Sequence, residues 1–383
     1  MLAVITIEEL TADPHPHLAR LRAEAPISWV PELDAWLVTG RAAAVEVMRD
    51  AASFTVDDPR FSTGRVVGAS MLSTDGAVHA RHRSAFAAAF RPATNRERLG
   101  TVVSEIARRR VSEAAALATV DLRATVAGPV AAEVAIVALG LVDTTPADVR
   151  GWYTDIVDAV SALSIDLEAT AAPSLMDGIR AAVARTVAKP ETALAATRRD
   201  GDLDDEEFAS NVAIVLFGAL ETSEAMIANL LRDVIVDSDV HARIAADPEL
   251  RDRAIDESLR LEPGASFVDR YVVEATERDA SSFSAGDHVI VSLAGANRDP
   301  SAYRRPDLFL LDREGEPPHL TFATGPHVCL GAHLARMEAR AVLDAWFDQE
   351  VQATPAATGF EAPTGFVFRK PGRLMVDVGF AAD

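Results

Sequence analysis

Cysteine is almost absent from this chain: Cys329 is the single thiol in 383 residues. One thiol excludes an internal disulfide and any multi-cysteine zinc or iron–sulfur site. Positive charge is also scarce. Lys and Arg number 37 against 58 Asp and Glu, a formal net charge of -21. That excess of acid argues against the phosphate backbone of a nucleic acid as partner. Met1 to Pro26 lacks both a basic start and a long apolar run, so it reads as neither signal peptide nor membrane anchor. A reducing, cytoplasmic setting is expected, and it suits a free thiolate. No dinucleotide fingerprint, internal repeat or low-complexity linker is found along the chain.

What is present points to a large helical core. Hydrophobic residues make up 49% of the chain, ample for one sizeable domain. Helical periodicity is predicted over 41–49, 77–90, 99–117, 130–141, 146–164, 174–187 and about 204–236. Alternating β patterns are short: 27–30, 35–38, 288–292 and near 374–378. The stretch 57–70, rich in Gly, Ser and Asp, reads as a long loop of a kind that is often functional.

Cys329 sits in T-F-A-T-G-P-H-V-C-L-G-A-H-L-A-R. Beyond it, Leu330, Leu334, Met337, Ala341 and Ala345 share one helical stripe. The cysteine is therefore expected at a helix N-terminus, where unpaired N–H groups and the macrodipole favour an anion. Gly325 and Gly331 should let backbone approach a flat ligand closely. On these residues alone, a small buried hydrophobe and a metal ligand both remain open.

The predicted helix from Asp205 to Val236 would span ~48 Å. Its apolar middle is interrupted by Gly218-Ala219 and by Glu221-Thr222-Ser223, polar groups that need partners when buried. Thr222 bonding a carbonyl one turn back is the simplest such partner. Elsewhere, His79 and Arg83 lie one helical turn apart, Glu257 and Arg260 are spaced i, i+3, and Arg270 and Arg313 stand alone in F-V-D-R-Y and L-L-D-R.

Taken together, these segments resemble the cytochrome P-450 family. Phe322, Gly325, His327, Cys329, Gly331 and Leu334-Ala335-Arg336 match its haem-binding signature, with Ala323 where a second glycine is usual. Gly218-Ala219-Leu220-Glu221-Thr222-Ser223 resembles its oxygen-activation motif, with Ala219 in place of glycine. The resemblance runs from His79 to Cys329 in family order. It implies a mainly α fold over 1–383, with haem between the long central helix and the cysteine-bearing helix. The β-rich part would fall mainly in 1–70, 265–325 and 351–383, and the helical core in 71–264 and 326–350.

The resemblance also implies roles. Cys329 would be the thiolate ligand of haem b, an arrangement that favours O–O cleavage. Phe322 and Gly331 would border the haem, and His79, Arg83, Arg270 and His327 would meet its propionates. Thr222 would hydrogen-bond dioxygen and Glu221 would help relay protons. Glu257, Arg260 and Arg313 would be structural, with Arg304 and Arg305 as rivals for the last place. Phe217, Leu220, Phe267, Val268, Phe366 and Val367 would wall the substrate pocket.

The activity implied is a monooxygenase that hydroxylates or epoxidises a hydrophobic small molecule, in secondary metabolism. Electrons would come from a ferredoxin and its NAD(P)H-dependent reductase. Arg81, Arg108, Arg109, Arg110, Arg336 and Arg340 are candidate docking cations, though ordinary surface charge explains the three adjacent arginines as well. The alternatives are the same haem-thiolate site running ring coupling or peroxygenation, or a haem gas sensor.

Overall fold

A computed structural model describes residues 5–165 and 171–380. The outer limits of the expected domain, 1–4 and 381–383, and the segment 166–170 lie outside the described residues. The chain is organised around one helix, Asp205–Val236. Its start is fixed by a capping box in which the Asp204 side chain takes the Glu207 N–H and Glu207 returns the bond. Three acids in the first turn complement the helix dipole. This helix is long and apolar enough to cross a membrane by composition, yet its apolar window is 67% buried inside the protein. That is the mark of a core helix.

Around it pack Gly128–Leu139, Pro146–Ile165 and Leu250–Leu261, together with the cysteine-side helix Ala332–Asp348, and Pro92–Ala115 packs on the last of these and on Gly128–Leu139. They share one apolar core that includes Val103, Val130, Val212, Leu231, Val342 and Trp346. The expected stripe of the last helix is the inward face: Leu334, Ala341 and Ala345 are buried, while Leu330 and Met337 are partly so.

The main sheet has the strand order Ile27–Val30, Ala35–Val38, His288–Ser292, Phe267–Val272, Phe54–Thr55. Val268 opposes Val291 and Arg270 opposes Val289, so these four share one face. Val289 and Val291 lie in a core with Val47, Phe54 and Leu293. The other face carries Phe267 and Ile290, which pack with Leu10, Leu18 and Leu37. A second sheet pairs Leu374–Phe380 with Val351–Phe360 and with Thr119–Asp121.

Three expectations change. The stretch 57–70 is not wholly loop, because Ser62–Val67 forms a helix ended by Gly68 at φ 90. Val66 and Val67 drive it by burying themselves in the large core. The segment 1–70, expected as β-rich, carries four helices beside its three strands. The cysteine helix begins at Ala332 with Gly331 as its cap, so Cys329 lies in the approaching turn rather than in the helix.

Candidate active site

The cysteine loop is tied at both ends. The Cys329 N–H donates to the Phe322 carbonyl at 2.8 Å, closing the loop into a narrow hairpin-like turn. The Cys329 side chain remains exposed. Its Sγ nonetheless sits within a protein wall. Burial raises the thiol's pKa, while the N–H groups of Gly331 and Ala332 and the nearby Arg83 oppose that rise by favouring the thiolate.

Gly325 has a different task from the one expected. At φ 78 its missing side chain makes room for the Met48 carbonyl, so the glycine serves backbone packing against the helix Arg41–Arg49. A Cβ added at Gly331 would meet Cys329 Sγ only at ordinary contact distance, 3.9 Å. Ala323 adopts φ 56, a left-handed conformation that disfavours a side chain, which explains why glycine suits that place better. Phe322 lies under the Arg336 guanidinium, 4.5 Å from its ring centre.

Next to this loop is a group of buried cations and imidazoles. Arg83 donates to the Val328 carbonyl at 2.8 Å. Arg270 is buried and donates to the neighbouring Asp269 carbonyl at 2.6 Å. Among the described residues, neither arginine has a carboxylate partner, and desolvation lowers the pKa of both. His79 is buried with Nε2 lacking any partner. Burial, and then the neighbouring His327 and Arg83, push its pKa down to about 4.

His327 is engaged otherwise. Its Nε2 meets Asp75 Oδ1 at 2.8 Å, and its ring lies 4.4 Å from that of His79. Asp75, which the sequence reading passed over, also accepts from Thr55 Oγ1 and the Val56 N–H. Burial raises its pKa, but these bonds outweigh that and hold it at about 2. The available signal was an Asp directly before a helix; its side chain caps nothing and turns to His327 instead.

Behind the loop, Glu257 is closed on all sides. It accepts from Arg260 Nε and Nη2 at 2.8 Å, from Arg313 Nε at 2.7 and 2.8 Å, and from the Leu310 N–H at 2.8 Å. Arg260 spends its remaining donors on the carbonyls of Asn297, Pro306 and Leu308. Of the two rivals to Arg313, Arg304 pairs with Glu316 and Arg305 offers only its carbonyl.

On the central helix, burial lapses at Gly218, which is exposed with open space beside it. Thr222 Oγ1 donates to the Gly218 carbonyl at 2.5 Å, the local bond its sequence context suggested. Its oxygen keeps acceptor capacity. Gly264 lies against the Thr222 backbone, where a Cβ would meet the Thr222 carbonyl at 2.8 Å. Glu221 bonds no part of Thr222 and pairs with Lys370 at 2.8 Å.

The expected pocket walls divide. Phe217 stacks on Tyr153 at 5.5 Å and meets Phe368 edge-on at 5.7 Å. Leu220 is buried in the large core, and Val268 shares the Arg270 face of the sheet. Phe267 and Phe366 contact each other at 4.9 Å and belong to the core on the opposite face. Strand alternation sends them there, one residue out of phase with Val268. Val367 is exposed, and its carbonyl accepts the Ser266 N–H. Phe368 and Tyr153 are thus the aromatic neighbours of Phe217 that sequence reasoning missed.

Most candidate docking arginines are neutralised within the protein. Arg81 pairs with Glu207, Arg109 and Arg110 with Glu133, Arg336 with Asp256, and Arg340 with Asp252 and Asp344.

The residues present fit a haem. One exposed thiol faces donors that favour its anion, while a buried arginine without a carboxylate partner and a buried imidazole nitrogen without any partner lie nearby. No cluster of three or more His, Cys, Asp or Glu that could hold a metal ion occurs among the described residues. An iron bound here would take most of its ligands from a porphyrin.

Comparison with known proteins agrees. The family model for cytochrome P-450 matches residues 174–349. The cytochrome P-450 monooxygenase PikC of Streptomyces venezuelae is 32% identical over 89% of this chain and 85% of its own length. Cytochrome P-450 109 of Bacillus spizizenii is 28% identical over 97% of this chain and 95% of its own. The structure of CYP109E1 from Bacillus megaterium in complex with testosterone superposes with a TM-score of 0.83, covering 97% of this chain and 99% of that one. At 22% identity that likeness is one of fold.

Fold and site thus define a haem oxidoreductase. The chain belongs to the cytochrome P-450 family and is a monooxygenase of the bacterial kind. Its cofactor is a haem iron, and like its class it takes redox partners and hydrophobic substrates.

Proposed function

We propose that the protein works in the cytoplasm, takes electrons from a ferredoxin and an NAD(P)H-dependent reductase, and hydroxylates or epoxidises a hydrophobic small molecule of secondary metabolism. The observation that carries the haem assignment is the orphaned cationic group: buried Arg270 without a carboxylate, and His79 Nε2 without a partner. Two propionates of haem b would supply the missing acceptors for Arg270, His79 and Arg83. Cys329 would hold the iron, with the Gly331 and Ala332 N–H groups limiting the charge on its sulfur. Bound there, the haem supplies thiolate-assisted oxygen activation.

The chain's own tasks are positioning, exclusion of water and proton supply. Thr222 Oγ, anchored on the Gly218 carbonyl, keeps acceptor capacity at the open stretch of the central helix. Glu221, one residue earlier, is the nearest acid in sequence to it. Phe217, Tyr153 and Phe368 form an aromatic group beside that stretch, which suits an apolar substrate. Secondary metabolism is supported by the likeness to a post-tailoring hydroxylase involved in himastatin biosynthesis, 25% identical over 98% of this chain. Glu257, Arg260 and Arg313 are assigned to holding the chain before the cysteine loop in place.

The deciding experiment is the reduced-CO difference spectrum. A Soret band near ~450 nm supports thiolate ligation by Cys329, and a histidine-type band overturns it. A screen of hydrophobic compounds for the low-to-high-spin shift then identifies the substrate class. No shift with any terpenoid, polyketide or modified peptide would count against a medium-sized apolar substrate.

A further inference from the structure

The central helix carries two acids one turn apart, Glu221 and Glu224, and one ammonium serves both. Lys370 Nζ lies 2.8 Å from Glu221 Oε1 and 3.1 Å from Glu224 Oε1. All three side chains are mostly buried, at 13% exposure for Lys370, 16% for Glu221 and 11% for Glu224. Glu224 is also held by Arg123 Nε at 2.7 Å, and Arg123 anchors on the Gly372 carbonyl at 2.5 Å. Tyr153, on the helix Pro146–Ile165, lies close enough to Glu221 that burial and this acid together push its phenol pKa up. Glu224 has Arg123 as a second partner and the Arg150 guanidinium close by, so removing Lys370 leaves Glu221 as the acid without a paired cation.

Lys370 comes from outside the central helix, on the short strand Lys370–Pro371. Two residues before it, Phe368 meets Phe217, whose other face stacks on Tyr153. The segment that supplies the ammonium thus also touches the aromatic group beside the open stretch of the helix. Glu221 is held by Lys370 with Tyr153 nearby, and Thr222 Oγ1 is committed to the Gly218 carbonyl.

We propose that Lys370 is the positioning residue for Glu221. It holds this carboxylate drawn toward the 370–371 strand, beside a chain of charges that reaches partly exposed Arg123. Proton supply to Thr222 therefore depends on a side chain about 150 residues away in sequence, brought there only by the fold. This rests on the proton-delivery reading of Glu221 and Thr222 given above.

Four proteins test it: Lys370→Met, Lys370→Arg, Glu221→Gln and the Lys370→Met/Glu221→Gln double variant. The reduced-CO band of the wild type tests the underlying reading separately, since its absence overturns haem-thiolate function whatever Lys370 does. Infrared spectra of the ligand-free proteins at neutral pH supply a readout independent of turnover. Lys370→Met should gain a protonated-carboxyl band from Glu221, a mostly buried acid that loses its paired cation while Glu224 keeps Arg123, and the double variant should lack it. In turnover, Lys370→Met should fall about tenfold, divert electrons to hydrogen peroxide and alter the solvent isotope effect. Lys370→Arg should restore most of this. If Lys370→Met does not fold, Lys370→Gln keeps a donor in place and carries the same expectations. An intact thiolate band with no new carboxyl band and unchanged coupling would overturn the proposal.

Discussion

Two arginine clusters flank the cysteine loop, and they differ in one respect. Arg260 and Arg313 converge on Glu257, and every donor in that knot finds a protein acceptor. Arg270 and Arg83, with His79 beside them, are withdrawn from water yet have no carboxylate among the described residues. A buried charge is tolerable only when paired. The first cluster is therefore complete within the polypeptide, and the second is the one we propose is completed by the haem propionates. Mutations should affect the two in opposite ways.

The largest effect is expected at the closed knot. Glu257→Ala leaves buried Arg260 without a carboxylate and Arg313 with Glu316 alone, and should cost about 3–5 kcal/mol. A guanidinium-chloride midpoint of the haem-free protein measures it. If the loss is the same as for an exposed acid, the knot is not what stabilises this region.

Glu262 extends the closed type to acid stability. Burial raises its pKa, but His15, Arg369 and Arg298 outweigh that and hold it at about 2, against an ordinary 4.5. A depressed acid contributes stability that is present above the unfolded value and lost as pH falls through the folded one. Acid unfolding should therefore consume about 3 kcal/mol between about pH 4.5 and 2, and Glu262→Gln should flatten that window. Asp233, buried and pushed up to about 7, acts with the reverse sign. Its native form stays protonated while the unfolded form ionises, so it lowers stability as pH rises from about 4 to 7, and Asp233→Asn should remove that slope.

At the open cluster, Arg270→Met should leave the haem-free protein no less stable, because it removes an uncompensated charge. The loaded protein should instead lose haem about 10- to 100-fold faster, the worth of one charge-assisted bond. Transfer of haem to an acceptor globin reads this directly. Unchanged transfer would remove Arg270 from the propionate site. The smallest effect is expected at Ala323, whose φ of 56 suits glycine. Ala323→Gly should raise the midpoint by about 1 kcal/mol or less, since relief of strain is partly offset by a freer unfolded chain.

Much of the helical framework was legible from periodicity. Arg41–Arg49 begins and ends where the pattern does, Pro146 starts its helix, and the pattern of 204–236 matches Asp205–Val236. These helices bury one face each, and a face is written locally in the sequence. The strand Val351–Phe360 was not legible. With Pro355, Gly359 and several alanines it has little β character, and pairing with Leu374–Phe380 makes it a strand. The helix Ser62–Val67 likewise exists because Val66 and Val67 find a core to enter.

The site divides along the same line. By itself the sequence determined the kind of chemistry: one cysteine in a glycine-bearing loop, a threonine and an acid in an apolar helix, and an i, i+3 acid–arginine pair. Each of those depends on spacing within a turn or two. Only the tertiary structure decided that Asp75 takes His327, that Phe368 rather than Phe366 meets Phe217, and that Lys370 reaches Glu221. Those pairings join segments more than a hundred residues apart, and burial selects them by requiring each withdrawn charge to find a partner.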